Sequence, residues 1–140
     1  MQFSLSLPPS INHQYVTVKN GRRTLSRDSK KWKQEAKQEL EVLRFEGRIP
    51  ESFLAVASAG YLSLFLDFYF ESPLKRDLDG GLKILQDTIC EVLGLNDNRV
   101  VDIHLIKRMD PLRPRVEVQL EALPEWKFDD EYIYLGPTDS

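Results

Sequence analysis

The chain has 140 residues, 41% hydrophobic and 29% charged, with a net charge of −3, which fits one globular core and excludes a disordered chain. Cys90 is its only cysteine, so an intrachain disulfide and a cysteine-rich zinc site are excluded and a reducing, cytoplasmic setting is expected. No apolar run reaches membrane-spanning length, and the opening "MQFSLSLPPS" lacks the basic start and apolar stretch of a secretory signal.

"FSLSL" alternates Phe3, Leu5 and Leu7 with serines, the period of a half-buried strand, and "PPS" stops it. In "YVTVKNGRRTLS" two short strand-like runs flank Asn20-Gly21, a pair that tolerates positive φ at a hairpin tip. Lys19, Arg22 and Arg23 then crowd that tip. "SRDSKKWKQEAKQELEVLRFEG" predicts the first helix, capped by Ser26, Asp28 or Ser29 and ended by Gly47. Trp32, Ala36, Leu40 and Leu43 share one of its faces. "RIPES" is a connecting loop.

"YLSLFLDFYF" predicts the clearest strand. Leu62, Leu64, Leu66, Phe68 and Phe70 take one face, and Phe65 and Tyr69 make the other partly apolar, as in a central strand. Leu82, Leu85, Ile89 and Val92 or Leu93 mark a second helix, stopped by Gly94. "NRVVDIHLIKR" and "RVEVQLEAL" are two more strands, joined by "MDPLRP". The expected fold is α+β, a mixed sheet with two main helices packed on one face. It spans residues 1–123, and an acidic, aromatic-containing tail follows over 124–140.

The charge is unevenly spread. Residues 19–37 hold eight basic and two acidic side chains, whereas 121–140 hold one basic and six acidic. A mildly basic body with an acidic tail suits phosphate binding on one face, and equally a solvated surface with scattered ion pairs.

The chemistry concentrates in "RDLDGGLK", residues 76–83. If the stretch is extended, Asp77 and Asp79 point the same way. If the helix starts near Asp79, Lys83 lies one turn beyond it. Crowded carboxylates repel unless a hard cation sits between them, and magnesium takes one or two carboxylates plus waters and phosphate oxygens. A nearby lysine offsets charge on a phosphate. Each residue also has a plain reading: Asp79 as a helix cap, Asp97 as a turn residue, Asp77 as a partner of Arg76. His13 and His104 form no triad, Cys90 suits a buried helix position, and Gly80-Gly81 lacks the spacing of a P-loop.

Taken together, "RDLDGGLK", an apolar helix and "LNDNRVVD" resemble the RusA-type Holliday-junction resolvases, and "LPPSINHQY" is similar to that family's Pro-Pro-Ser-x-Asn element. The resemblance runs from about Phe3 to about Leu120. It implies a RusA-like fold and a homodimer. It implies Mg2+, with Mn2+ as a substitute, bound by Asp77, Asp79 and Asp97, with Lys83 as the fourth catalytic residue. Gly80 stands where the family usually has Asn. Asp102 matches a further acidic position, behind the metal ligands or simply facing outward, and Asn12 holds the first loop against the site or is only a turn residue. The implied host compartment is a bacterial cytoplasm, with the gene from the host or a phage.

Junctions are recognised by shape and phosphate contact, which calls for basic residues. Arg22, Arg23, Arg27, Lys30, Lys31, Lys33 and Lys37, with Lys19 at the hairpin tip, are the candidates, together with Lys75 and Arg76 beside the aspartates. The expected function is a Mg2+-dependent endodeoxyribonuclease that resolves four-way junctions by paired nicks in recombination and repair. A non-catalytic branched-DNA-binding module is the alternative, and a nucleotide phosphohydrolase a third.

Overall fold

The computed structural model describes residues 1–10, 14–74 and 76–128. In chain order the elements are β1 (Gln2–Leu5), β2 (Tyr15–Thr17), β3 (Arg23–Leu25), α1 (Arg27–Phe45), α2 (Glu51–Ala59), β4 (Tyr61–Phe70), α3 (Leu82–Leu93), a 3-10 turn (Asp97–Arg99), β5 (Val100–Met109) and β6 (Arg115–Leu123). The main sheet runs β1-β6-β4-β5, and β2 and β3 form a separate ribbon. β1 and β4 pair antiparallel to β6, while β5 pairs parallel to β4, so the sheet is mixed as expected.

Local signals account for most of these elements. Gly21 takes φ +80° at the hairpin tip, where only a residue without a Cβ is comfortable. The Ser26 hydroxyl accepts from the Ser29 N–H at 3.1 Å and caps α1. Gly94 closes α3 in the left-handed conformation, φ +67°.

Period-two alternation decides which face is buried. Leu62, Leu64, Leu66, Phe68 and Phe70 of β4, Val116, Val118 and Leu120 of β6, and Phe3 and Leu5 of β1 are buried. They join Trp32, Ala36 and Leu40 of α1 and Ile84, Leu85 and Ile89 of α3 in one core. The opposite face stays open, with Tyr61, Phe65, Asp67 and Tyr69 only partly covered.

A third, shorter helix, α2, joins the two main ones. Its residues pack onto β4 and β6, and Leu54 and Ala57 enter the core. "ESFLAVASA" is short and rich in alanine and serine, so it carries helix propensity but a weak stripe. No helix among the described residues is long and apolar enough to cross a membrane.

Candidate active site

The "RDLD" stretch is a turn, not an extended run. The Gly80 N–H donates to the Asp77 carbonyl at 3.2 Å, and the Leu82 N–H to the Asp79 carbonyl at 3.1 Å. α3 begins only at Leu82, with Gly81 in the capping position and no side-chain cap. Two glycines delay the helix, since each costs helix stability. Gly81 also has to be small, because a Cβ there would come within 2.5 Å of Pro8 Cγ. Asp79 therefore neither caps α3 nor sits one helical turn before Lys83. Lys83 pairs instead with Asp87 at 3.7 Å, and its side chain is 66% exposed.

The turn is tied down from several sides. Arg76 Nη2 donates to the Pro8 carbonyl at 2.7 Å, and its guanidinium lies 5.4 Å from the Phe70 ring centre. Burial pushes the Arg76 pKa below its ordinary value. Its Nε is buried without a hydrogen-bond partner. Gln14, fully buried, donates through Nε2 to both the Pro9 and the Gly80 carbonyls at 2.8 Å. Lys107 on β5 donates to the carbonyls of Pro73 at 2.6 Å and Arg76 at 2.7 Å. Asp77 and Asp79 themselves are exposed, and among the described residues their side chains make no hydrogen bond or ion pair. In particular, Asp77 does not pair with Arg76.

An open cleft of about 560 Å³ adjoins the turn, walled by Pro8 and Pro9, by Lys31, Trp32 and Glu35 of α1, and by Arg76. Trp32 is fixed there by donating to the Ser6 carbonyl at 2.9 Å.

Asp97 is elsewhere. It opens the 3-10 turn past the far end of α3, where Asn96 caps the turn and Arg99 Nη1 donates to the Gly60 carbonyl at 3.4 Å. Burial first, then the carboxylates of Asp97 and Asp87, push the Cys90 thiol up to about 11. That places Asp97 by the last turn of α3. The 12 residues of α3 separate the two ends by ~18 Å of helix rise. The sheet agrees: β5 enters opposite Leu62, while the Asp77 turn leaves β4 after Phe70. One chain therefore does not bring Asp97 to Asp77 and Asp79. Among the described residues no three His, Cys, Asp or Glu side chains are placed to share a metal ion. Asp77 and Asp79 meet the one or two carboxylates that Mg2+ uses, and among the described residues no third carboxylate joins them.

Asp102 faces outward. It accepts from His104 Nε2 at 2.9 Å, and the His104 ring stacks on Phe65 at 4.5 Å. Asn12 and Lys75 lie outside the described residues. Among the described residues, Gln14 and Arg76 hold the first loop against the turn.

Of the cations, Arg22, Arg23, Arg27, Lys30 and Lys31 are exposed along the hairpin and the first turn of α1. Lys33 and Lys37 are committed to Glu91 at 2.8 and 2.7 Å and tie α1 to α3. Those two hydrogen bonds hold the Glu91 carboxyl down to about 2. Gln14, Lys107 and Glu91 gave no local signal, because their partners are distant in sequence.

The mixed α+β sheet presents an exposed carboxylate turn next to a cleft lined by Lys31 of α1 and by Arg76. The family model for endodeoxyribonuclease RusA matches residues 6–121, and the chain belongs to that family. It is accordingly an endodeoxyribonuclease, a hydrolase of phosphodiester bonds. No curated protein matches the chain.

Proposed function

We propose that this endodeoxyribonuclease resolves four-way DNA junctions by paired nicks, that it needs Mg2+ or Mn2+, and that it works as a homodimer in recombination and repair. The observation that carries the reading is the Asp77–Gly80 turn. Two unpartnered carboxylates stand in solvent on a backbone fixed by Arg76, Gln14 and Lys107. Nothing in the fold needs those charges there, and a divalent ion would use them.

In this reading Asp77 and Asp79 would hold the ion, with Asp97, which one chain does not bring to them, as the third carboxylate. Once bound, the ion supplies neutralising charge and polarises the scissile phosphate. Lys83 is loosely held, so its ammonium is free to reach a phosphate oxygen and offset the charge that builds there. Arg76, rigid and half-buried, fixes the turn rather than sliding along DNA. Arg22, Arg23, Arg27, Lys30 and Lys31 take the phosphates of the junction arms. A junction has approximate two-fold symmetry, and an isologous dimer offers two equivalent sites with that symmetry.

Among the described residues of one chain no third carboxylate joins Asp77 and Asp79, which favours the second reading, a branched-DNA-binding module without catalysis. A labelled synthetic four-way junction separates the two. Nicking with Mg2+, none in EDTA, and a loss of about 100-fold or more in Asp79→Asn are expected, the scale of losing one charge-stabilising group. Tight junction binding with no cleavage under any divalent ion would establish the module instead.

A further inference from the structure

β2 and β3 form a ribbon of their own, outside the main sheet. Its root is nonetheless fixed. The Ser26 N–H donates to the Gln14 carbonyl at 2.7 Å across the base of the ribbon, and the buried Gln14 amide donates to the Gly80 carbonyl at 2.8 Å. The hairpin therefore grows directly out of the turn that carries Asp77 and Asp79. From Gln14 to Val18 the chain advances ~13 Å, at about 3.3 Å per residue.

The ribbon has two different faces. Tyr15 and Arg23 lie on one, with the guanidinium 5.1 Å from the ring centre. Val16 and Val18 lie on the other, 48% and 41% exposed. Val16 stands opposite Thr24, and the Val18 N–H donates to the Arg22 carbonyl at 2.9 Å. A single exposed valine on a protein surface needs no explanation. Two on one face of a lone hairpin are different, because such a ribbon is marginally stable in water and gains nothing from apolar groups left in solvent. Lys19, Arg22 and Arg23, all exposed, flank the pair, so whatever covers the valines is negatively charged at its rim. An opened base step in DNA has that character. Phosphates lie outside it, and an apolar side chain can replace the stacking that is lost within.

We infer that the hairpin is a pin that enters DNA at the branch point. Val16 and Val18 pack against the base pair unstacked there, and Lys19 and Arg22 hold the phosphates on either side. Gln14 ties the pin to the aspartate turn, so the opened step determines which phosphodiester lies at the carboxylates. That the DNA is branched rests on the function proposed above, whereas the apolar face of the hairpin does not.

The test uses the full chain in EDTA, with a four-way junction that carries 2-aminopurine beside the branch point. Binding of the wild type should raise the 2-aminopurine fluorescence, because the base loses its stacked neighbour. Val16→Ser with Val18→Ser should bind within about threefold of the wild type, since its cations remain, yet leave the fluorescence at the level of the free junction. Val16→Leu with Val18→Leu keeps the apolar bulk and should keep the signal. With Mg2+, the serine variant should nick a fully paired junction about tenfold or more slowly, and recover on a junction mismatched at the branch, where the step is already open. A folding defect would slow both junctions alike. A serine variant that keeps the signal, a leucine variant that loses it, or equal slowing on both junctions overturns the pin. If the serine variant keeps the signal and sediments as a smaller species, the valines cover a second copy instead. A wild type that cuts junctions without raising the fluorescence also overturns the pin and leaves the proposed function standing. A wild type that raises the fluorescence but never cuts does the reverse, and one that does not bind the junction overturns both.

Discussion

Gln14 illustrates how a single side chain can set the geometry of a site it does not belong to. Its amide bridges the Pro9 and Gly80 carbonyls, 66 residues apart on the Gly80 side, inside the core. Replacing it by leucine leaves two buried carbonyls without a donor, at a cost of ~1–3 kcal/mol. Denaturant unfolding of Gln14→Leu should show that loss, and junction cleavage should fall further than stability does, because the aspartate turn loosens. Cleavage at the wild-type rate in the folded variant would show that the turn is fixed without it. Sequence made the aspartates visible as chemistry but not their posture. "RDLD" permits an extended run, and only the contact of Gly81 with Pro8 explains why the helix starts late. That contact joins residues 73 apart, beyond any local pattern.

Among elements, α1 and α3 are joined by charge as well as by their apolar faces. Lys33 and Lys37 share Glu91, whose carboxyl titrates near 2 when folded against an ordinary 4.5. A depressed carboxyl stabilises the fold above its unfolded pKa, and that contribution is lost as pH falls from about 4.5 towards 2. Glu91 is half exposed, so the effect is that of a surface pair, ~0.2–1 kcal/mol. Thermal unfolding of Glu91→Gln should therefore converge on the wild type as pH is lowered through that window. A gap independent of pH would point to packing instead. The hairpin, α1, β4 and α3 were legible because each carries both a periodic stripe and a stop signal. α2 was not, since small residues blur its stripe. The central place of β4 was legible from its two apolar faces, but its neighbours β5 and β6 were not, because strand order is set by core closure rather than by sequence adjacency.

At the scale of the whole molecule, the net charge of −3 conceals a basic hairpin and helix start and a C-terminal stretch rich in acidic residues. Phosphate contacts release counterions, so junction affinity should fall with salt. The double change Arg22→Ala with Arg23→Ala should reduce that log–log slope by about 2, roughly one unit per lost contact. An unchanged slope would move the DNA to another surface. The family could be read from the chain. The separation of Asp97 from Asp77 and Asp79 could not, because it depends on α3 lying between them.

The most direct test is single-turnover cleavage, with Mg2+, of a four-way junction and of a linear duplex of the same arm sequence. Nicks in two opposed strands of the junction, little cutting of the duplex, and loss of both nicks in Asp79→Asn are expected. Equal cutting of junction and duplex, or full activity in Asp79→Asn, would contradict the proposed function.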